Sequence, residues 1–462
     1  MDSERGRRKL AACRPKPRSW VDSGMTPDSL QPPSALLAAR CTDAAGAIAC
    51  LPTRGRVLVG GNAGEPRALV AALADAASRF DGLEIVQILS FGSEPLVRPS
   101  AAGHLRVNAL FIGPSVRAAV AAGAADYTPV FLSEVPGLLR PGGALALDAV
   151  LVQVSPPDAH GWCSLGVSVD VLDGPVRQAP MVLAEINPRM PRTFGAGAVH
   201  ISRFHRVVEV DHPLPTLEHE GPDPIRDRIA AHVAELVDDG CTMQTGIGSI
   251  PDALLRRLGD RRDLGFHTEL FSDGMLALVE SGVATGARKE LWPGKAVTSF
   301  ILGSERLYRE VDSNLAIEMQ PSDITNDPFR IARMKNFVAI NAALSIDLTG
   351  QVNADSVGTR LYSGIGGQVD FLRGAARAPG GRPVIVLPST ACGGTVSRIV
   401  ATLATGAGVV TSRGDVHHVA TEWGRVELHG KSIRQRAISL IGIADPRFRE
   451  GLMGEAKALG YV

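Results

Sequence analysis

The sequence predicts an α/β protein built on parallel sheets in two domains. Three observations carry that expectation. From about residue 45, short apolar runs of β type alternate with Ala/Leu-rich stretches of helical spacing. A proline-rich break without periodicity interrupts the pattern at 211–224. A unit of strand, glycine loop, proline and helix occurs once on each side of that break.

The first twenty residues hold seven basic and two acidic side chains, and a Pro/Ser-rich stretch follows. Such a segment has too little apolar surface to offset the entropy of ordering it. Residues 1–44 therefore read as a disordered basic, proline-rich extension, with Met25 an alternative start. The runs Val57–Val59, Ile85–Leu89, Ala149–Val154, Phe337–Ile340 and Val384–Leu387 are short and, apart from Gln87 and Gln153, apolar, as strands covered on both faces should be. Four prolines in "DHPLPTLEHEGPDP" divide an N-terminal α/β domain, 45–212, from a C-terminal one, 224–462.

Aligning Pro66 with Pro251 superposes Gly61 on Gly246, Ala68 on Ala253, and Leu69 and Leu73 on Leu254 and Leu258. Proline pre-sets φ for a first helical turn, and glycines let backbone N–H groups approach a ligand. Two readings are open at this level: chance similarity of two strand–turn–helix units, or two domains of one ancestry.

Composition excludes several classes. Lys+Arg and Asp+Glu both total 48, so no net field recommends nucleic acid or an anionic membrane. The six cysteines fall at 13, 41, 50, 163, 241 and 392 without a Cys-x-x-Cys pair, which argues against a zinc site or a disulfide framework and suits the cytoplasm. No apolar run reaches the ~18 residues of a membrane span, and no signal peptide is expected. "GRVELHGKS" (424–432) has five residues, where a phosphate-binding P-loop has four, between Gly424 and Gly430-Lys-Ser. Gly-x-Ser-x-Gly and Gly-x-Gly-x-x-Gly signatures are absent, and the adjacent His417 and His418 would face opposite sides of a strand. No metal is expected.

What remains is a set of glycine loops, Gly246-Ile-Gly248, Ser363-Gly-Ile-Gly-Gly-Gln368 and Cys392-Gly-Gly394, in the half that contains "HTELFSDG" (267–274). Such loops present N–H groups to phosphate or to a developing oxyanion. Ser272 or Asp273 can cap a helix beginning there, but Glu269 lies upstream and has no such duty.

These residues carry a resemblance. "QTGIGSIPDAL" (244–254), "HTELFSDG", "DLTGQVNADSVG" (347–358), "YSGIGGQVDFLRGA" (362–375) and "TSRGDVHHVATEWG" through "GKSIRQRA" (411–437) resemble the acetyl-CoA hydrolase/transferase family, most closely its 4-hydroxybutyrate CoA-transferases, which are class I CoA-transferases. "FIGPSVRAAVAAGAADYTPVFLSEVPGLL" and "LVQVSPPDAHGWCSLGVSVD" extend the resemblance over roughly residues 50–455.

The resemblance implies two open parallel-sheet α/β domains of related design, NagB/RpiA-like, and a homodimer or higher homo-oligomer. It also implies an enzyme that moves CoA between a short acyl-CoA, such as acetyl-CoA, and 4-hydroxybutyrate, acetate, propionate or butyrate. Coenzyme A is then a co-substrate, with no tightly bound cofactor. Glu269 matches the family's nucleophile. Gly246, Ile247, Gly248, Ser249, Ile250, Gly364, Gly366 and Gly367 match the loops that line the CoA channel and donate to the oxyanion. Gln244, Asn341, Asn353, Gln368 and Lys431 are candidate substrate or CoA contacts, and Arg373, Arg398, Lys431 and Arg434 candidate phosphate partners.

The chemistry is consistent with an ordinary glutamate, ionised at neutral pH with a pKa near ~4.3, attacking a thioester without a general base. The alternative is an acyl-CoA hydrolase of the same fold, which His267 keeps open as a group near enough to activate water. Three stretches depart from the family pattern: Thr421-Glu-Trp-Gly424, Ala444-Asp-Pro446, and Gly195–His200 without a preceding Asp-Ser. The last bears on the acyl pocket or on a contact between domains.

Overall fold

The computed structural model describes residues 32–217, 221, 223–246 and 248–462. Two open sheets organise the chain. The first runs Arg206–Glu209, Met181–Ile186, Ala149–Val154, Arg56–Val59, Leu83–Gln87, Leu105–Ala109 and Asp126–Tyr127, parallel throughout. The second runs Gly265–Phe266, Thr242–Thr245, Phe337–Ala342, Arg382–Val386 and His418–Thr421 in parallel, and the antiparallel Gly424–Glu427 closes its edge.

Strand alternation explains why both faces of each sheet are covered. Val57 and Val59 point into the outer core of the first sheet with Leu69 and Leu73, while Leu58 points the other way. Phe337 and Ala339 pack beneath the second sheet with Phe371 and Leu440, while Val338 and Ile340 face the opposite side. Leu58, Val338 and Ile340 belong to one continuous apolar core that joins the halves. Backbone pairing reinforces it: Phe194–Gly195 pairs with Ile317–Met319, and Phe131 bridges to Gly366.

The recurring unit has the expected form in both halves. Arg56–Val59 leads through Gly60-Gly61 to the helix Arg67–Asp75, and Thr242–Thr245 leads through Gly246 and Gly248 to the helix Ser249–Arg257. The near-miss P-loop is an edge strand followed by a helix cap: Ser432 and Gln435 form a capping box on Ile433–Gly442.

One expectation is corrected here. The extension expected to be disordered through residue 44 is ordered from Pro33, because Pro33–Arg40 forms a helix that buries Leu36 to 2% exposure against the joint core. The Thr42 amide then donates to the Val207 carbonyl at 2.9 Å, tying the segment to an edge of the first sheet. Residues 1–31 lie outside the described residues. Among the described residues no helix is long and apolar enough to cross a membrane.

Candidate active site

Glu269 sits just after the short edge strand Gly265–Phe266, where the chain leaves the second sheet towards the first. Its backbone carbonyl accepts from the amides of Ser299 and Phe300 at 2.9 and 2.8 Å and from Thr298 Oγ1 at 3.0 Å. Three donors on one carbonyl fix where the side chain starts. Thr268 Oγ1 donates to the Thr245 carbonyl at 3.1 Å, coupling this turn to the glycine loop that follows Thr245.

The Glu269 carboxylate is held from two sides. Asn326 Nδ2 donates to Oε2 at 2.9 Å. Gly367, the residue before the helix Gln368–Arg377, lies so close that a Cβ there would fall 2.1 Å from Glu269 Oε2 and 2.1 Å from Asn326 Nδ2. The helix therefore begins against the carboxylate, where its N-terminal dipole end favours negative charge. Burial pushes the Glu269 pKa up from the ordinary glutamate value, and the Asn326 bond opposes that rise by stabilising the ion. The unperturbed acid expected from sequence is corrected accordingly.

A cavity of about 240 Å³ opens beside Glu269 between the halves. The first half contributes Asn62, Ile88, Leu110, Phe111, Val130 and Leu132, and the second Gly246, Leu270, Phe300 and Gly366. Asp170 reaches the same cavity, with its Oδ2 accepting from Asn62 Nδ2 at 2.7 Å and its Oδ1 from the Val171 amide at 2.7 Å. Burial pushes the Asp170 pKa up to about 6 against those bonds, with Glu269 adding to the rise.

The glycine loop at 364–367 is shaped by the first half. Ile112 N donates to the Ser363 carbonyl at 3.3 Å, and Leu132 N to the Gly366 carbonyl at 3.1 Å. A Cβ on Gly364 would meet Phe111 at 2.9 Å. Gly366 has φ +60° and Gly248 φ +113°, conformations that favour glycine. One turn into the helix, Asp370 accepts from Ser133 N at 3.0 Å and Ser133 Oγ at 2.8 Å. Burial pushes the Asp370 pKa up to about 7, and Glu269 contributes by like charge.

Of the residues expected from sequence, Glu269, Gly246 and Gly366 meet at the cavity, and Gly367 touches the Glu269 carboxylate. Ser249 and Ile250 open the helix after Gly248, with Ile250 in the core. Ile247 lies outside the described residues. The other candidates are engaged away from the cavity lining. Gln244 and Asn341 exchange amide hydrogen bonds at 3.3 and 3.0 Å. Asn353 organises its own turn through Ser356, and Gln368 Nε2 donates to Thr411 Oγ1 at 2.8 Å. Lys431 Nζ donates to Ser439 Oγ at 3.1 Å, and Arg373 pairs with Asp415 at 3.3 Å.

Two local expectations change. Ser272 occupies the N-cap of Asp273–Glu280 without a side-chain capping bond, and the Asp273 carboxylate accepts from Ser304 N at 2.9 Å. His267 is fully buried away from the cavity: its Nε2 donates to the Thr325 carbonyl at 2.8 Å, and its ring lies 5.9 Å from that of Trp292. Burial pushes its pKa down to about 3, so it is neutral there. Sequence reasoning missed Asn326, Asp170 and Asp370. Asn326 stands in "ITNDP", which reads as a turn, and only its reach across 57 residues to Glu269 gives it meaning.

Residues 40–218 match the acetyl-CoA hydrolase/transferase N-terminal domain, and residues 303–456 the C-terminal domain of the same name. The 4-hydroxybutyrate coenzyme A transferase of Clostridium kluyveri is 44% identical over 89% of this chain and 96% of its own. Among solved structures, RipA from Yersinia pestis superposes with a TM-score of 0.89 at 34% identity, covering 94% of this chain and 100% of that one. The 4-hydroxybutyrate CoA-transferase of Porphyromonas gingivalis superposes with a TM-score of 0.80 at 36% identity, covering 92% and 99%. Proteins named acetyl-CoA hydrolases match over smaller shares of the chain.

Proposed function

Since the chain belongs to the acetyl-CoA hydrolase/transferase family and is a CoA-transferase, we propose that it moves CoA between a short acyl-CoA and a short carboxylate through a thioester on Glu269. Acetate, propionate, butyrate and 4-hydroxybutyrate are the carboxylates in range. The observation that carries the mechanism is the Glu269 carboxylate, held by Asn326 and pressed against Gly367 at the mouth of an apolar cavity.

In the proposed sequence a Glu269 oxygen attacks the thioester carbon and the C–S bond breaks, leaving an acyl-glutamyl anhydride and CoA thiolate. The thiolate attacks the glutamyl carbonyl, which releases the acyl group as a carboxylate and leaves CoA on Glu269. An acceptor carboxylate then runs both steps in reverse. No proton is transferred at any stage, which suits a site whose one described histidine nearby in sequence is neutral and turned away. Asn326 holds Oε2 and leaves Oε1 for attack.

Each attack puts negative charge on a carbonyl oxygen beside the 364–367 loop and the start of the helix Gln368–Arg377. One preorganised N–H donor at such an oxygen is typically worth about 2.7–4 kcal/mol. Hydrolysis would require a group that activates water at the anhydride. His267 does not reach the cavity, and Asp170 already accepts from Asn62, Val171 and Ser168. We also take the enzyme to be cytoplasmic and a homodimer or higher homo-oligomer; the five described cysteines are all unpaired, as a reducing compartment would keep them.

Incubation with acetyl-CoA alone, followed by borohydride, tests the intermediate. CoA bound to the enzyme before borohydride, and after it released CoA with a reduced side chain mapped to Glu269, are expected, with none of these in Glu269→Ala. CoA trapped on another residue would sink the mechanism.

A further inference from the structure

Asn326 can hold the Glu269 carboxylate only if its own position is fixed. It closes the one-turn helix Ser322–Thr325, and the Thr325 carbonyl stands at the end of that helix, where carbonyls have no intrahelical partner. His267 supplies one, because its Nε2 donates to the Thr325 carbonyl at 2.8 Å. His267 is two residues before Glu269, and Thr325 is next to Asn326. The ring–carbonyl bond and the 2.9 Å bond from Asn326 Nδ2 to Glu269 Oε2 therefore tie the same two short segments together.

The histidine end of this tie is the anchored one. The His267 amide donates to the Met243 carbonyl at 3.0 Å, and Lys289 Nζ to the Phe266 carbonyl at 2.8 Å, both on strands of the second sheet. The ring is fully buried, with its centroid 5.9 Å from that of Trp292 and 6.3 Å from that of Phe337. A carbonyl only accepts, so the ring proton sits on Nε2, while the buried Nδ1 has no hydrogen-bond partner among the described residues. A buried nitrogen without a partner destabilises a fold, and a side chain that merely filled this apolar space would not carry one. Among the described residues, the ring's one hydrogen bond goes to the peptide that carries Asn326.

Resting on the reading of Glu269 as nucleophile, we infer that His267 is a positioning residue: its Nε2–H holds the Thr325–Asn326 peptide where the Asn326 amide meets Glu269 Oε2, which leaves Oε1 for attack. The ring touches neither substrate nor the reacting carboxylate. It acts through Asn326, so its effect on turnover exists only while the Asn326 side chain is present.

The test is kcat for CoA transfer from acetyl-CoA to butyrate in His267→Met, His267→Gln, Asn326→Ala and the double variant His267→Met/Asn326→Ala. Met removes the donor, and the shift it permits at Asn326 should lower kcat at least about 10-fold. The Gln amide reaches the place of Nε2 and should restore kcat to within about 3-fold of the unmodified enzyme, while the double variant should be no more than about 2-fold slower than Asn326→Ala. Equal losses with Met and Gln, or losses that multiply in the double variant, overturn the inference, as does a kcat unchanged by His267→Met. Transfer that survives Glu269→Ala sinks the nucleophile reading itself, which none of the His267 results touches. If His267→Met does not fold, His267→Asn, whose shorter amide falls short of Thr325, takes its place with the same expectations. If neither folds, the ¹⁵N resonances of the His267 ring in the unmodified enzyme decide: a proton on Nε2 supports the inference, and a proton on Nδ1 overturns it.

Discussion

A Cβ placed on Gly367 would lie 2.1 Å from Oε2 of Glu269, closer than any real side chain approaches a carboxylate oxygen. Only glycine fits there, because the helix Gln368–Arg377 begins against the Glu269 carboxylate. The same hypothetical atom falls 2.1 Å from Asn326 Nδ2, so relief requires both side chains of the hydrogen bond to move.

Gly367→Ala should therefore cost activity far more than stability. A displacement of about 1 Å at a reacting centre costs on the order of 10²-fold in turnover. We expect that loss in kcat, with a melting temperature within a few degrees of wild type. Near-normal kcat in the folded variant would separate Gly367 from the reaction.

Asn326 predicts a pH dependence. Burial raises the Glu269 pKa and the Asn326 donor lowers it, so removing the donor leaves the rise unopposed. Attack needs the ionised form, so kcat/KM falls as pH falls through the Glu269 pKa. In Asn326→Ala that acid limb should move to higher pH, with lower activity at every pH along it. An acid limb that stays put, or moves to lower pH, would show that the amide does not act on the carboxylate charge.

Asp370 predicts a pH dependence of stability. Its folded pKa of about 7 is above the unfolded value of an aspartate, so the folded state holds a proton that the unfolded state has released over the interval between them. Its contribution is full below the unfolded pKa and is lost as pH rises through about 7. At ~1.4 kcal/mol per pKa unit, the loss between pH 4 and 8 is at most ~4 kcal/mol. Asp370→Asn cannot titrate, and should flatten the fall of denaturation free energy over this range. An equally steep fall in the variant would assign it to other groups.

Leu36 tests the ordered start of the chain. Its burial in the joint core predicts that Leu36→Ala destabilises the protein by about 2–5 kcal/mol in urea unfolding, the usual cost of emptying a leucine site. A loss below about 0.5 kcal/mol, typical of surface positions, would show that the helix Pro33–Arg40 is dispensable.

Short apolar runs marked central strands of both sheets, because a strand covered on both faces is apolar at most positions and a helix only at every third or fourth, whereas Met181–Ile186 and Arg206–Glu209 went unread. Ala149–Val154 is read from composition with its observed limits. Glu269 stood out locally only as a carboxylate without a capping duty, and its proposed role came from the family resemblance, whereas glycine loops such as those holding Gly248 and Gly366 leave a mark within a few residues because positive φ favours glycine. Pro33–Arg40 was not, because two adjacent leucines in a short alanine-rich stretch carry no period, and the burial of Leu36 depends on a core that the rest of the chain provides. Tertiary structure alone decided that Asn326 holds the carboxylate, that Asp370 docks on Ser133, and that His267 faces away. It also decided that Gln244, Asn353 and Lys431 bond to neighbours away from the cavity. The physical reason is common to all of these: a hydrogen bond between distant segments depends on where two sheets meet and which way a loop turns, and neither partner's local sequence contains the position of the other.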